Sequence, residues 1–189
     1  MATLNLRDLL LPHLRCELDL SLLPGEFLVL TGENGIGKST LLSHLRRKLP
    51  GHTVLCEQKN LEHFFDRSLG RFKSLVEETP GLDENFFQEF WTRGGFDQKA
   101  DRPVSYLSGG ESQLLKLLIH ASAPGETYLF DEPGQHLDRE KKALALEILQ
   151  RLRNKKRPIL IVEHDLSWLP PSVKVEYLVL QEDTLRRKV

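Results

Sequence analysis

The sequence predicts an α/β fold with a mostly parallel β-sheet, and two observations carry that prediction. Apolar runs of strand length alternate with segments in which apolar side chains recur at helical spacing. One of these runs leads through a glycine-rich loop into a helix. Strands that alternate with helices pair in parallel through crossover connections, so a sheet flanked by helices is expected.

Four apolar runs are expected to form the buried strands of this sheet. They are Phe27–Thr31, Thr53–Cys56, residues 127–132 and Ile159–Val162. Short, continuous apolar runs are typical of strands that are covered on both faces. The sequence therefore predicts that helices pack on both sides of the sheet.

Three further segments predict antiparallel pairing. In residues 16–22, CELDLSL, apolar side chains alternate with polar or charged ones, as in a strand with one buried face. Residues 175–180 and 184–189 are expected to close a hairpin around residues 181–183.

Helices are predicted between these runs. One follows the glycine-rich loop over Lys38–Lys48, and another follows residue 132, with apolar side chains at positions 144, 145, 148, 149 and 152 on one face. Residues 61–91 predict two or three helices that form a separate lobe. The aromatic residues of this lobe are interpreted as its core, with a partner-binding groove as the alternative; they are Phe64, Phe65, Phe72, Phe86, Phe87, Phe90 and Trp91.

Composition and charge exclude several classes of protein. The net charge of -1 gives no overall attraction to nucleic acid or to an anionic membrane. No window reaches the roughly 18 apolar residues of a membrane helix, and the N-terminal segment does not match a secretory signal.

Cys16 and Cys56 lie far apart in apolar surroundings, which predicts two buried thiols in a reducing compartment. The basic run at residues 151–157 is interpreted as a solvated helix end.

Residues 32–39, GENGIGKS, match the full P-loop pattern and lie between a buried strand and a helix. The glycines let successive backbone N–H groups face the phosphates of a nucleotide. Lys38 supplies a charge to the outer phosphates, and the Ser39 hydroxyl is a ligand for Mg2+. A P-loop NTPase core is therefore expected. The predicted phosphate-binding residues are Gly32, Asn34, Gly35, Ile36, Gly37, Lys38, Ser39 and Thr40.

Further positions fit the chemistry of a nucleoside triphosphatase. Asp131 ends a buried strand and is expected to hold Mg2+, while Glu132 would act as general base or position water at the γ-phosphate. His164 follows Ile159–Val162 at the carboxyl edge of the sheet, where it could orient the attacking water. Gln58 could reach Mg2+ or the same water. The predicted catalytic residues are Glu132, His164 and Gln58, and the predicted metal ligands are Ser39, Gln58 and Asp131.

The order of these motifs resembles that of the ATP-binding cassette (ABC) ATPases. The P-loop, Gln58, LSGGESQ at 107–113, YLFDEP at 128–133, HLD at 136–138 and His164 follow one another as in that family. LSGGE-x-Q is the most family-specific of them. The resemblance covers essentially the whole chain and implies a nucleotide-binding domain with an α-helical signature lobe. It also implies ATP and Mg2+ as cofactors and Mg-dependent hydrolysis of ATP to ADP and phosphate.

The resemblance further implies a head-to-tail dimer with ATP at its interface. In this family the signature of one domain covers the ATP that the P-loop of the other holds. By that resemblance Ser108, Gly109, Gly110 and Glu111 would bind the γ-phosphate of the partner's nucleotide, at the start of a helix near Glu111, and Asp138 would help to couple the two sites. A homodimer is the expected pairing, with a heterodimer of similar domains as the alternative.

One domain, 1–189, is expected, with residues 1–58 and 125–189 as the core and β-lobe and about 59–124 as the helical lobe. The stretch from Lys38 to Gln58 is shorter than in typical family members, so a trimmed antiparallel β-lobe is expected. The aromatic residue that usually stacks on adenine upstream of the P-loop is missing, which leaves His13 as a weak adenine contact. No regulatory domain and no second cassette is expected after Val189.

Two functions agree with this resemblance. The favoured one is a cytoplasmic ATPase subunit, peripheral on the inner face of the cell membrane, that powers a separate permease and grips it near Gln58 and the Phe64-Phe65 pair. The alternative is a soluble ATP-dependent switch acting on a protein or nucleic-acid partner, although no basic stripe extends beyond residues 151–157. An inactive nucleotide-binding module is disfavoured because the expected catalytic positions are intact. The transported substrate and its direction stay open.

Overall fold

Eight strands hydrogen-bond into one sheet in the computed structural model, which describes residues 6–11, 14–18, 23–49, 51–57, 61–171, 174–181 and 184–187. The strands are β1 (Leu6–Leu11), β2 (Leu14–Leu18), β3 (Phe27–Thr31), β4 (Thr53–Cys56), β5 (Thr127–Asp131), β6 (Ile159–Val162), β7 (Lys174–Gln181) and β8 (Thr184–Arg187). Their order is β1-β2-β8-β7-β3-β6-β5-β4. The strands from β7 to β4 pair in parallel, which confirms the predicted α/β class with a mostly parallel sheet.

Five α-helices lie between these strands in the described part of the chain. They are α1 (Lys38–Lys48), α2 (Leu69–Glu77), α3 (Glu84–Arg93), α4 (Gly109–Ser122) and α5 (Arg139–Asn154). The helices α2, α3 and α4 all lie between β4 and β5, where the signature lobe was expected. None of the helices that the structure describes is long and apolar enough to cross a lipid bilayer.

The central strands are apolar on both sides because helices cover both faces of the sheet. In β3, Phe27 and Val29 belong to one apolar cluster, and Leu28 and Leu30 belong to another, as the alternation of a pleated strand requires. Side chains of α4 and α5 complete the first cluster, and side chains of α1 complete the second. The continuous apolar runs in the sequence thus correspond to doubly covered strands.

The lobe between β4 and β5 has an aromatic core, as the sequence predicts. Phe72 of α2 is buried, and in α3 the buried rings of Phe87 and Trp91 have centroids 5.5 Å apart. Phe64 and Phe65 are partly buried against the same residues. This aromatic cluster is continuous with one face of the sheet, so the lobe shares its core with the sheet instead of having a separate one.

The strands depart from the prediction in three details. The edge strand β1 was not predicted, and β2 begins at Leu14, pairing antiparallel with β1 but parallel with β8. The strand β5 ends at Asp131 because Glu132 has a φ of 51°, outside the extended region. The hairpin of β7 and β8 is confirmed. Cys56 is buried as predicted, whereas the side chain of Cys16 lies outside the described residues.

The basic run at residues 151–157 lies at the exposed end of α5 and pairs with acidic side chains of α3 and its N-cap. Arg151 donates to Glu89 at 3.0 Å, and Lys155 contacts Asp83. Exposed pairs of this kind contribute only about 0.2–1 kcal/mol each. The side chains of Arg151 and Lys155 are thus paired at the surface, where they add little to stability.

Candidate active site

Three loops converge at one edge of the sheet because the central strands end at the same level. Leu30 of β3 pairs with Val162 of β6, and Val162 pairs with Asp131 of β5. The P-loop, Glu132 and His164 follow directly on these strands. The carboxyl edge of a parallel sheet is where open α/β folds bind ligands.

The P-loop is shaped by glycines and anchored by an apolar side chain. Gly35 and Gly37 have φ values of 77° and 101°, which residues other than glycine rarely adopt. The Ile36 side chain between them is buried in the core with α1, so Ile36 can offer a nucleotide only its main chain. Gly37 caps α1 without a side-chain hydrogen bond, and the N–H groups of the first turn can therefore face an anion.

Lys38 places a positive charge at the base of this loop. Its side chain is only 5% exposed, and its ammonium donates to the main-chain oxygens of Gly32 at 2.9 Å and Glu33 at 2.7 Å. An ammonium has three N–H donors, so one remains for a phosphate oxygen. Burial lowers the pKa of Lys38, and the charges of Glu132 and Asp131 oppose that shift.

A cleft of about 740 Å³ opens above these groups. P-loop residues form one wall, and the segments after β5 and β6 form the other. Its lining residues are Asn34, Gly35, Gly37, Lys38, Ser39, Thr40, Glu132, Gly134, Gln135, His136, Leu137, Lys142, Glu163, His164 and Asp165. The structure thus brings together most of the predicted phosphate-binding residues with Glu132 and His164.

Asp131 and Ser39 fit a Mg2+ ion. Asp131 is 6% exposed, and its Oδ1 is buried without a hydrogen-bond partner among the described residues. Burial raises the pKa of the Asp131 carboxyl, while a hydrogen bond from Ser39 and the charge of Lys38 oppose the rise. A hydroxyl beside an unsatisfied carboxylate oxygen is the donor set that Mg2+ binds in P-loop proteins.

Glu132 and His164 form the pair expected at the γ-phosphate. His164 Nε2 lies 3.3 Å from Glu132 Oε1, and both side chains face the cleft. Glu132 has a left-handed backbone, and its N–H donates to the oxygen of Val162 at the end of β6. The chain turns sharply here, which presents the carboxylate to the cleft rather than to the core.

Glu163 is a buried carboxylate that the sequence analysis missed. It is 4% exposed, and its oxygens accept the N–H groups of Gly134 and His164, each at 2.9 Å. Burial raises the pKa of Glu163, and these backbone donors oppose the rise. The side chain therefore ties the loop after Glu132 to the loop that carries His164. The only signal for it in the sequence is an acid directly before the histidine.

The signature residues stand at the N-terminus of α4. Ser108 is the N-cap, its Oγ accepts the N–H of Glu111 at 3.3 Å, and the Glu111 carboxylate accepts the N–H of Ser108 at 3.0 Å. The helix begins at Gly109, slightly before the predicted start near Glu111. Burial alone would raise the pKa of Glu111, but the contact with Lys99 and the Ser108 N–H outweigh it and lower the pKa.

These signature residues do not line the cleft of their own chain. The first turn of α4 instead packs against the loop after β5, since a methyl group at Gly110 would lie 2.7 Å from the oxygen of His136. The N–H groups of Gly109 and Gly110 have no acceptor within the helix. The P-loop and the signature residues thus lie on two distinct surfaces of one chain.

The remaining predicted positions have other surroundings or are not described. Asp138 is the N-cap of α5, and the hydrogen bonds from Lys141 lower the pKa of its exposed carboxyl. Gln58 and His13 lie outside the residues that the structure describes. The cleft also includes residues without a predicted role, among them Lys142 and Asp165, which pair at 2.5 Å.

Gly134 should tolerate no side chain. A methyl group there would lie 2.5 Å from Trp168 Nε1 and 2.7 Å from Glu163 Oε2. We expect Gly134→Ala to lower the free energy of unfolding by about 1–3 kcal/mol through overpacking and to shift the fluorescence of Trp168. Denaturant titration measures both. Gly109→Ala, whose methyl group would meet nothing closer than 3.8 Å, is the control and should unfold like the wild type; equal stability of the two variants would contradict the close packing.

Comparison with known proteins agrees with this geometry. The family model for ABC transporters matches residues 16–135. The chain is 31% identical to the translation initiation factor RLI1 of Saccharomyces cerevisiae over 152 residues, which cover 74% of this chain and 24% of that protein. It is also 31% identical to the achromobactin transport ATP-binding protein CbrD of Dickeya dadantii over 181 residues, which cover 80% of this chain and 67% of that protein.

A solved structure described as the ATP-binding subunit of an ABC transporter superimposes with a TM-score of 0.74 at 16% identity, covering 92% of this chain and 82% of that one. At this identity the likeness concerns the fold. The chain spans about a quarter of the length of RLI1, so the activity of that whole protein does not transfer. The family match over most of the chain, together with the assembled cleft, shows that this protein belongs to the ABC transporter family of ATP-binding ATPases.

Proposed function

We propose that this chain hydrolyses ATP in the cleft, as half of a head-to-tail dimer, and powers a separate membrane permease. The observation that carries the hydrolysis is the convergence of Lys38, the Ser39–Asp131 pair and the Glu132–His164 pair on one edge of the sheet. Lys38 supplies a positive charge for the phosphates, the Ser39–Asp131 pair supplies ligands for a metal ion, and Glu132 supplies a carboxylate that can accept a proton from water. Each group stands at the end of a strand or in the P-loop, so the core holds it in place.

Phosphate binding uses the P-loop and Lys38. The N–H groups at the start of α1 and the remaining N–H of the Lys38 ammonium face the β- and γ-phosphates. Ser39 and Asp131 would hold Mg2+, which neutralises phosphate charge when bound. Residues 1–58 and 125–189 serve as the nucleotide-binding core in this proposal, and about 59–124 as the signature lobe of the same domain.

Hydrolysis uses Glu132 and His164. The Glu132 carboxylate accepts a proton from the attacking water as its oxygen bonds to the γ-phosphorus, and the bond to the ADP oxygen breaks. ATP and water thus become ADP and phosphate. His164 Nε2, 3.3 Å from Glu132, keeps the carboxylate oriented and can contact the γ-phosphate. General base catalysis of this kind contributes roughly 10²- to 10⁴-fold to the rate.

The position of the signature supports a dimer. Ser108 Oγ accepts a hydrogen bond from Glu111, which leaves its own proton free to donate to a phosphate oxygen. With the N–H groups of Gly109 and Gly110 it forms an anion-facing surface outside its own cleft. The signature surface of a second copy can cover the nucleotide bound by the first copy. If a two-fold rotation relates the two copies, the signature of the first copy also covers the nucleotide of the second, so both sites are completed. Asp138, the N-cap of α5 directly after the cleft residue Leu137, would couple them.

Coupling to a permease is supported by the similarity to a transport ATP-binding protein. This chain covers 67% of the transport ATPase CbrD. The large apolar side chains that are exposed among the described residues are Leu23 and Tyr106, so the lobe offers a permease mainly polar surface beside the half-buried Phe64 and Phe65.

The match to the translation initiation factor RLI1 favours the alternative, a soluble switch that acts on a protein or nucleic-acid partner. Both functions need the same ATP-dependent dimer.

Glu132→Gln should stop turnover without stopping ATP binding. The amide keeps the size of the side chain but cannot accept the proton of the attacking water. We expect kcat to fall by at least about 100-fold, with ATP affinity retained and a dimer trapped in ATP and Mg2+. Phosphate release and sedimentation velocity measure the two effects. Rapid turnover by this variant would show that another group is the base.

Ser108→Arg should prevent ATP-driven dimerisation while each chain still binds nucleotide. The larger side chain would occupy the position of the partner's γ-phosphate and remove the hydroxyl donor. We expect Ser108→Arg in the Glu132→Gln background to sediment as a monomer in ATP. Ser74→Arg on the exposed side of α2 carries the same change in charge and size and should leave the dimer intact. Dimers that persist in Ser108→Arg would argue against signature binding across the interface.

The partner can be identified with the trapped dimer. Tagged Glu132→Gln protein, isolated in ATP from gently solubilised cells, is expected to retain a multi-spanning membrane protein in stoichiometric amount, because the trapped form does not release its partner. The double variant that carries both Glu132→Gln and Ser108→Arg is the control and should not retain the membrane protein. If mass spectrometry finds a soluble protein or nucleic acid instead, and the double variant does not retain it, the result would contradict the transport function and support the switch function.

A further inference from the structure

One buried side chain of the signature helix has no role in the site described above. Gln113 ends the LSGGESQ motif and lies on the buried face of α4. It is only 6% exposed. Buried amides must find hydrogen-bond partners, because an unpaired polar group costs free energy in the core. The partner of Gln113 therefore indicates what this side chain holds in place.

Gln113 holds the main chain of Glu132. Its Nε2 donates to the oxygen of Glu132 at 2.9 Å. The same oxygen accepts the N–H of Gln135 at 3.1 Å, which closes the turn after β5. A carbonyl oxygen has two lone pairs, so these two donors fix the orientation of the peptide plane that follows Glu132.

This turn needs support because its backbone is strained. A left-handed φ such as the 51° of Glu132 is strained in a residue other than glycine. If the backbone of Glu132 relaxed, its side chain would move and its 3.3 Å contact with His164 would be lost. A donor fixed on a long, packed helix is a stiffer support than the loop could provide by itself.

The helix contacts the same loop at a second point, one turn earlier. The oxygen of His136 lies so close to Gly110 that a methyl group there would be 2.7 Å from it. Residues 110 and 113 are three apart and share one face of α4. The loop from Glu132 to His136 is thus seated along this face, with the Gln113 amide donating into it.

We infer that Gln113 is a positioning residue, which fixes Glu132 from the signature helix and so aims its carboxylate at the attacking water. Its role in turnover rests on the proposed function, whereas the hydrogen bond does not. Gln113 is not among the residues that line the cleft, so it is not a nucleotide contact. Its loss should therefore lower kcat and leave the KM for ATP nearly unchanged.

The test compares two substitutions of similar size. Gln113→Met removes the donor, and Gln113→Glu replaces it with a group that repels the Glu132 oxygen. Gln88→Met and Gln88→Glu, in the exposed part of α3, are the matched controls. We expect kcat to fall roughly 10- to 100-fold in the Gln113 variants, as for a slightly misplaced catalytic group, and more in Gln113→Glu. KM and the folded fraction at the assay temperature should stay at wild-type values.

Amide hydrogen exchange gives a readout that does not depend on hydrolysis. In protein without nucleotide, the peptide covering 131–137 should exchange faster in both Gln113 variants, while α2 exchanges as in the wild type. Wild-type protein that hydrolyses no ATP would overturn the proposed function, yet faster exchange would still support the positioning of the turn. Full kcat with unchanged exchange in Gln113→Met would overturn the inference, as would a loss of kcat no larger than the loss of folded protein.

Discussion

The parallel register of β3, β6 and β5 is the constraint on which the site depends. Because Leu30, Val162 and Asp131 stand at one level, the P-loop, His164 and Glu132 leave the sheet side by side. Both faces of these strands are buried, so a slip of one residue would exchange the side chains of the two apolar clusters. The packing that forbids this slip also fixes the distance between the phosphate loop and the carboxylates.

Local groups, rather than net charge, would give this cleft its affinity for phosphate. Asp131, Glu132 and Glu163 bring three carboxylates to the site, and the whole chain carries a net charge of only -1. Backbone N–H groups satisfy Glu163, the Ser39 hydroxyl contacts Asp131, and His164 faces Glu132. The Lys38 ammonium and the N–H groups at the start of α1 then remain to attract the phosphates. Composition cannot reveal such an arrangement, because it depends on where each charge is placed.

The sequence predicts those parts of the structure that are encoded locally. Apolar runs identify the central strands, and the P-loop and strand-end positions identify Lys38, Asp131 and His164. Glu163 could not be found this way, because its importance comes from the close approach of Gly134, which is distant in sequence. The same holds for Gln113, whose motif is evident but whose partner depends on how α4 packs against the end of β5. The edge strand β1 was missed because its pairing partner, not its own pattern, defines it.

The helix α4 connects the two halves of the proposed site. Its N-terminus presents Ser108 and the N–H groups of Gly109 and Gly110 away from the cleft of its own chain, and its fifth residue, Gln113, holds Glu132 at that cleft. A helix transmits displacement along its axis because its backbone hydrogen bonds resist bending. Under the proposed function, the helix end that contacts the partner's nucleotide is therefore rigidly joined to the carboxylate that acts on the chain's own nucleotide. Hydrolysis at one site and closure over the other would then depend on each other through a single hydrogen-bonded side chain, whichever partner the dimer drives.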